Sequence, residues 1–228
     1  MRLWTGLAGS DMQFTIPDLL SAEAVEKLCT RLQSIALVDG KETAGWHAKA
    51  VKQNQQLDSK QAKPLVQEVR QALMAHPLFQ AAALPRQIQM VRFNRYSDGM
   101  AYGRHTDNAL MNGARTDLSF TLFLSEPESY DGGELVVEGV DSEQAHKLKA
   151  GSVIVYPSTS LHRVEPVTRG VRWAAIGWLQ SKVRERGRRE ILFELDTARR
   201  SLFAKYGKTD EFDLVTKSWS NLMRQWVE

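Results

Sequence analysis

Residues 118–138 read LSFTLFLSEPESYDGGELVVE. Two short apolar runs, 118–124 and 134–138, flank a segment that carries Glu126-Pro127 and Asp131-Gly132-Gly133. Runs of this length bounded by Pro and Gly read as strands joined by turns. The same texture continues outward in 87–96 (QIQMVRFNRY), 152–156 (SVIVY), 162–165 (HRVE) and 171–179 (VRWAAIGWL). Ser97-Asp98-Gly99, Ala150-Gly151 and Arg169-Gly170 supply further turns. Many short strands at close spacing predict an antiparallel sandwich or barrel. No helical pattern alternates with them, which argues against a parallel doubly wound sheet.

Helical periodicity is confined to the flanks. Ser21 precedes AEAVEKLCTRLQSI, with Glu23 and Glu26 close behind, a good helix start. Val25, Leu28, Leu32 and Ile35 share a face, and Asp39-Gly40 ends the element. The polar stretch 45–63 reads as a surface loop near a cleft. Residues 64–75 (PLVQEVRQALMA) predict a second helix with Pro64 in its first turn. Pro77 and Pro85 bracket what reads as a short irregular stretch. Beyond Lys182 the period returns in Ile191, Leu192, Leu195, Ala198 and Leu202, then in Leu214, Trp219, Leu222 and Trp226. Two or three outer helices are expected there. The chain divides into a leader at 1–11 ahead of Met12, an N-terminal helical region at 12–86, a β domain at 87–181 and a C-terminal helical extension at 182–228. The fold class is mainly β with flanking helices.

Composition agrees with one domain and an appendage. The 228 residues are 43% hydrophobic and 25% charged, near the globular average, which excludes disordered, collagenous and coiled-coil chains. No apolar run nears the roughly 20 residues that cross a bilayer. The N-terminus lacks the apolar core of a signal peptide. One cysteine, Cys29, excludes an intrachain disulfide and a multi-cysteine metal site. A cytoplasmic protein is expected. The net charge of +3 sits in the tail: from Lys182 onward there are eleven Lys/Arg against eight Asp/Glu, and nineteen of each before it. A solvated helical surface explains that excess better than an anionic partner does.

Of five histidines, two stand where a metal would need them. His105 and Asp107 are two apart, and on an extended chain such residues project from one face. His162 begins another predicted strand. Two imidazoles and a carboxylate can occupy one face of an octahedron and leave three positions open, as in non-haem Fe(II) oxygenases. Arg172 follows His162 by ten residues. If the two lie on consecutive antiparallel strands joined by the Pro166–Gly170 turn, they come close. The Arg172 guanidinium could then hold the far carboxylate of 2-oxoglutarate in a bidentate pair.

With these residues in view, the stretch Tyr96 to Gln180 resembles the Fe(II)/2-oxoglutarate-dependent oxygenase domain of the prolyl-hydroxylase type. More narrowly it resembles the bacterial PKHD-type hydroxylases. The match is carried by Arg95-Tyr96, Tyr102 to Asp107, Leu118 to Leu124, Tyr130 to Leu135, Gly151 to Tyr156, His162 to Val164 and Gly170 to Arg172. It extends more loosely over nearly the whole chain from Met12. The resemblance implies a double-stranded β-helix, or jelly roll, with flanking helices. It implies that His105, Asp107 and His162 bind Fe(II), that Arg172 binds the distal carboxylate of 2-oxoglutarate, and that Tyr96 hydrogen-bonds the co-substrate or packs the barrel mouth. It makes Gly132-Gly133 a structural turn, and it suggests L-ascorbate as a rescuer of oxidised iron.

The expected reaction is hydroxylation of a C–H bond, with dioxygen consumed and succinate and carbon dioxide released. The substrate is left open between a prolyl or lysyl residue of a peptide and a small molecule connected with iron uptake. Two other readings compete. An AlkB-like nucleic-acid demethylase would carry a second Arg six residues after Arg172, where this chain has Trp178. A non-catalytic jelly-roll sensor would have no need of the full metal and Arg set. The remaining residues take structural expectations: His47 and His146 solvated, His76 at a helix end, Cys29, Trp173 and Trp178 in packing, and Arg184–Arg189 a solvated helix start. Trp46, Asn54 and Gln55 are candidates for a substrate opening. The C-terminal helices either pack on the barrel or form a homodimer interface.

Overall fold

The computed structural model describes residues 13–46 and 48–228. The expected leader and His47 lie outside the described residues. In chain order the strands are β1 (Phe14–Ile16), β2 (Leu37–Asp39), β3 (Lys52–Gln53), β4 (Gln55–Leu57), β5 (Pro85–Tyr96), β6 (Ala101–His105), β7 (Leu110–Met111) and β8 (Ala114–Arg115). They continue as β9 (Leu118–Phe123), β10 (Tyr130–Gly132), β11 (Leu135–Glu138), β12 (Glu143–His146), β13 (Val153–Pro157), β14 (His162–Val164), β15 (Val167–Gly170) and β16 (Arg172–Ser181). The helices are α1 (Ala22–Leu32), α2 (Lys63–Ala75), α3 (Pro77–Ala83), α4 (Arg186–Tyr206) and α5 (Asp210–Trp226).

Two antiparallel sheets face each other. The larger has the order β1-β13-β9-β16-β5-β4-β2 and the smaller β12-β11-β14-β6-β3. This is the jelly-roll architecture that the strand pattern predicts, with helices added outside. The chain crosses between the sheets at Asn54, leaving β3 in one and entering β4 in the other. That crossing closes one side of the sandwich.

Each strand of the large sheet turns its two faces to different surroundings, because side chains alternate. Val91 and Phe93 of β5, Phe120 and Leu122 of β9, and Val153 and Val155 of β13 belong to an apolar core on the outer face. There they meet Leu28 and Leu32 of α1, Leu65, Val69 and Leu73 of α2, and Phe79 of α3. The intervening residues, Arg92, Asn94, Tyr96, Ser119, Thr121 and Arg172, face inward and line a pocket between the sheets. The larger hydrophobic core therefore lies between sheet and helices, while a smaller one, with Phe123 and Ile154 of the large sheet against Leu135, Val137 and Val164 of the small one, lies between the sheets beside the pocket.

Several local expectations hold. Ser21 caps α1, its Oγ accepting from the Ala24 N–H at 3.2 Å. Pro64 sits in the first turn of α2. His76 ends α2 and begins α3. Gly132 and Gly133 have φ of 70° and 68°.

Others need correction. Residues 77–83 form α3, where the flanking prolines suggested irregular chain. Pro77 opens a helix well because its missing N–H has no partner to lose there, and Ala81–Ala83 favour continuation. Helix α1 stops at Leu32, short of Ile35, and Leu37–Asp39 pairs as a strand. The polar stretch 45–63 contributes β3 and β4, whose pairing uses backbone groups and shows no apolar pattern. Arg189, expected in solvent, is 2% exposed and donates to the Val183 and Arg184 carbonyls. His146, expected in solvent, is half-buried at the end of β12, where it pairs with Leu135 of β11.

The C-terminal helices pack on the body. Trp219, Leu222, Met223 and Trp226 of α5 gather around Leu84, Val183 and Leu192, and the Trp219 indole N–H donates to the Leu192 carbonyl at 3.0 Å. No helix among the described residues is long and apolar enough to cross a membrane.

Candidate metal and co-substrate site

His105 ends β6 and His162 begins β14, and the two face each other directly in the antiparallel register. Asp107 lies just past the end of β6, two residues from His105 and on the same side. Ligand atoms of the three residues all lie within 4.8 Å of one another. The His162 Nε2 stands 3.8 Å from Asp107 Oδ2.

Both imidazoles are oriented from behind. Nδ1 of His105 lies 2.8 Å from the Gly103 carbonyl oxygen, and Nδ1 of His162 lies 3.0 Å from that of Ser160. A carbonyl oxygen only accepts, so each Nδ1 carries the proton and each Nε2 is left with a free lone pair for a metal. Burial, and after it the neighbouring His162, push the His105 pKa down to about 4, which keeps that ring neutral at physiological pH. Tyr102 stacks on His105 with ring centroids 3.6 Å apart and planes 16° from parallel. Tyr156 meets His162 edge-on at 5.2 Å. Ser119 Oγ donates to Asp107 Oδ2 at 2.5 Å, and Ser158 Oγ lies 2.8 Å from Ser119 Oγ. The carboxylate is thus fixed from the large sheet, while the histidines come from the small one.

Arg172 does not share a hairpin with His162. Residues 167–170 form a strand of their own, β15, paired with β10, and this carries the chain from the small sheet to the large one. Arg172 therefore opens β16 directly opposite Tyr96 of β5 and reaches the pocket from the other wall. It is 1% exposed, and its Nε and Nη2 are buried with no hydrogen-bond partner. Its guanidinium lies 5.3 Å from the Tyr96 ring and 5.4 Å from the Phe123 ring. The Tyr130 hydroxyl is also buried without a partner. Gly133 makes the room: a Cβ there would stand 2.9 Å from Arg172 Cδ and 3.0 Å from Tyr130 Cε2. Burial raises the Tyr96 phenol above its ordinary value, with Arg172 pulling the other way.

A buried cation with unused donors is costly unless an anion arrives. A carboxylate end of 2-oxoglutarate would supply that anion, and two imidazoles plus one carboxylate form a donor set that suits Fe(II). The residues present fit both groups.

Sequence reasoning missed the residues that support this set. Ser119 lies in a run read only as a strand, and Ser158 in a connection that drew no reading. Tyr102 was matched as part of a motif with no role. Lys52 and Arg92 also line the pocket, and only the alternation Arg92-Asn94-Tyr96 along β5 could have signalled the latter. Trp178, expected in packing, lines the pocket as well. Asn54 is buried beside Tyr96 and does not line the opening, Gln55 is half-buried in β4, and Trp46 is exposed.

This fold and this donor set define a class, and the comparisons agree with it. Residues 91–180 match the 2OG-Fe(II) oxygenase superfamily, and residues 187–228 match the PKHD-type hydroxylase C-terminal domain. A PKHD-type hydroxylase of Picosynechococcus is 59% identical over 219 residues, which cover 95% of this chain and all of the relative. Among solved structures, a prolyl-4-hydroxylase of Pseudomonas putida aligns with a TM-score of 0.56 at 24% identity, over 75% of this chain and 94% of that one. HygX of Streptomyces hygroscopicus, solved with nickel, 2-oxoglutarate and hygromycin B, aligns with a TM-score of 0.56 at 14% identity, over 75% and 84%. The chain is a 2OG-Fe(II) oxygenase. Within that class it belongs to the PKHD-type hydroxylases, and it uses Fe(II), 2-oxoglutarate and dioxygen to hydroxylate a substrate.

Proposed function

We propose that His105, Asp107 and His162 hold the iron on one face, and that Arg172 receives the distal carboxylate of 2-oxoglutarate. The observation that carries this reading is the unpartnered Arg172 guanidinium, buried in the same pocket as three converging ligand atoms. Iron, when bound, supplies activation of dioxygen and couples decarboxylation of 2-oxoglutarate to oxidation of a C–H bond. The chain's own residues do the rest. The Gly103 and Ser160 carbonyls hold the imidazole protons at Nδ1. Ser119 steadies the carboxylate. Tyr96 and Phe123 flank the guanidinium and exclude water from it. The catalytic unit is residues 87–181, braced by 12–86 and 182–228.

The enzyme is cytoplasmic in this reading. The lone thiol Cys29 supports it, since it forms no disulfide and suits a reducing compartment. Ascorbate returns oxidised iron to Fe(II). Exposed Phe203, Tyr206 and Leu214 on the C-terminal helices support association of two copies. The substrate is either a peptidyl residue or a small molecule, and the two structural neighbours, a prolyl-4-hydroxylase and a protein solved with hygromycin B, illustrate both on this fold.

The test is anaerobic. Fe(II) and then 2-oxoglutarate are added to the protein, and the visible spectrum is recorded. A weak metal-to-ligand charge-transfer band that disappears in His162→Ala, and that needs more co-substrate in Arg172→Met, is the expected result. A band that survives His162→Ala, or an Arg172→Met protein with unchanged co-substrate affinity, would overturn the assignment.

A further inference from the structure

Beyond the iron and co-substrate residues, the pocket holds two more cations. Lys52 of β3 reaches in from the small sheet and Arg92 of β5 from the large one. Lys52 is 4% exposed. Its Nζ donates to Thr43 Oγ1 at 3.2 Å and lies 5.1 Å from the centre of the Tyr102 ring. Arg92 is half-buried, and its hydrogen bond among the described residues runs from Nε to Met90 Sδ at 3.1 Å. Neither side chain forms an ion pair among the described residues. A thioether and a hydroxyl are weak partners for two charges held out of water.

Charge bookkeeping shows what the pocket lacks. Asp107 is the one carboxylate among its described lining residues. In the loaded enzyme Fe(II) and the 2-oxoglutarate dianion cancel, and Asp107 balances Arg172. The charges of Lys52 and Arg92 remain.

A co-substrate held by Arg172 is anchored at one end of the pocket, and Arg92 enters elsewhere along the same wall. Tyr96 and Arg172 face each other, as do Arg92 and Ile176, so the two arginines are offset by four residues along paired strands. That offset is about 13 Å at ~3.3 Å per residue. Arg92 therefore leaves the sheet at a different level from Arg172. We propose that Lys52 and Arg92 form an oxyanion subsite for the molecule that is hydroxylated, which therefore carries a carboxylate or phosphate group beside the carbon to be oxidised. This rests on the assignment of Arg172 to 2-oxoglutarate. The Arg92 fork gives bidentate geometry and Lys52 a point charge from the facing wall, so an anion between them orients the substrate across the pocket.

The experiment uses the full chain loaded with Ni(II) and 2-oxoglutarate, titrated calorimetrically at constant ionic strength with butyrate, methyl phosphate and butyramide. One or both anions should bind, the tighter one naming the oxyanion, and butyramide should bind at least about tenfold more weakly. Lys52→Met and Arg92→Gln should each weaken anion binding about tenfold while 2-oxoglutarate affinity stays within about twofold. That retained affinity also shows that the variants fold. Equal binding of acid and amide, no binding of either anion, or anion binding indifferent to both substitutions would overturn the proposal. So would a parallel loss of 2-oxoglutarate affinity, which would give the pair to the co-substrate. A wild-type protein that takes up neither nickel nor 2-oxoglutarate would remove the assignment beneath it, a result distinct from all of these.

Discussion

His105 and His162 stand opposite each other on neighbouring antiparallel strands, their ring centroids 4.3 Å apart and their planes tilted by 50°. Residues so paired have Cα atoms about 4.5–5.5 Å apart. Two imidazoles at that spacing can converge on one point in front of the sheet. The backbone pairing itself is the template for the proposed metal site.

Ser119 is the residue through which the opposite sheet holds Asp107, the proposed third ligand. Ser119→Ala should leave the fold intact and weaken Fe(II) binding about 10–100-fold, the usual cost of losing a partner behind a metal ligand. Metal titration followed by the charge-transfer band measures it. Ser119→Thr, which keeps the hydroxyl, should recover part of the loss. Wild-type metal affinity in Ser119→Ala would show that Asp107 needs no support.

Arg172 is costly to the empty protein and useful to the loaded one. Arg172→Met should raise the melting temperature without 2-oxoglutarate, since it removes a buried charge with unused donors. It should also raise the KM for 2-oxoglutarate about 10–100-fold, the effect of losing a charged hydrogen bond. Calorimetry with and without co-substrate separates the two effects.

Gly133→Ala should act at the same place by crowding. The new methyl would press on Arg172, Tyr130 and Val167 from a backbone with φ of 68°. A loss of about 1–3 kcal/mol is expected in chemical denaturation, with weaker 2-oxoglutarate binding.

The pH dependence of Lys52 has a defined sign. Burial, with Arg92 close by, lowers its pKa from 10.5 to about 8, while Asp107 and Asp39 oppose the shift. Between those values the unfolded chain binds the proton and the folded one does not. Stability contributed by this group therefore rises with pH from about 8 to 10.5. The wild-type melting temperature, taken as a difference from that of Lys52→Met, should climb across this window without ligand. A flat difference would mean that Lys52 is solvated.

Outer-face substitutions should leave the chemistry alone. Leu73 and Phe79 are fully buried between the helices and the large sheet. Leu73→Ala should cost about 2–5 kcal/mol with an unchanged KM for 2-oxoglutarate. A changed KM would show that the two faces of the sheet are mechanically linked.

The long central strands were legible because runs such as 118–124 and 171–179 combine β-branched and aromatic residues with Gly and Pro at their ends. The convergence of His105 and Asp107 could be read from spacing, since residues two apart share a side of an extended chain. What escaped was whatever depends on a partner distant in sequence. The short strands at 52–53 and 55–57 pair through their backbones, and Lys and Gln side chains give no periodic sign of it. Arg189 is buried because α4 folds back on Val183, which a run of arginines does not announce. The placement of Arg172 was read through the wrong connection, because a turn and a short crossing strand look alike in four residues ending at Gly170.

The inward and outward alternation of β5 has a consequence for how this enzyme diversifies. Val91 and Phe93 hold the protein together, whereas Arg92, Asn94 and Tyr96 face the pocket, so neighbouring codons answer to different demands. A point change at 92 can alter which molecules are accepted while the fold's stability is left to its neighbours. A one-residue insertion would exchange the two sets and destroy both. New specificities along this strand should therefore arise by substitution and almost never by a change in its length.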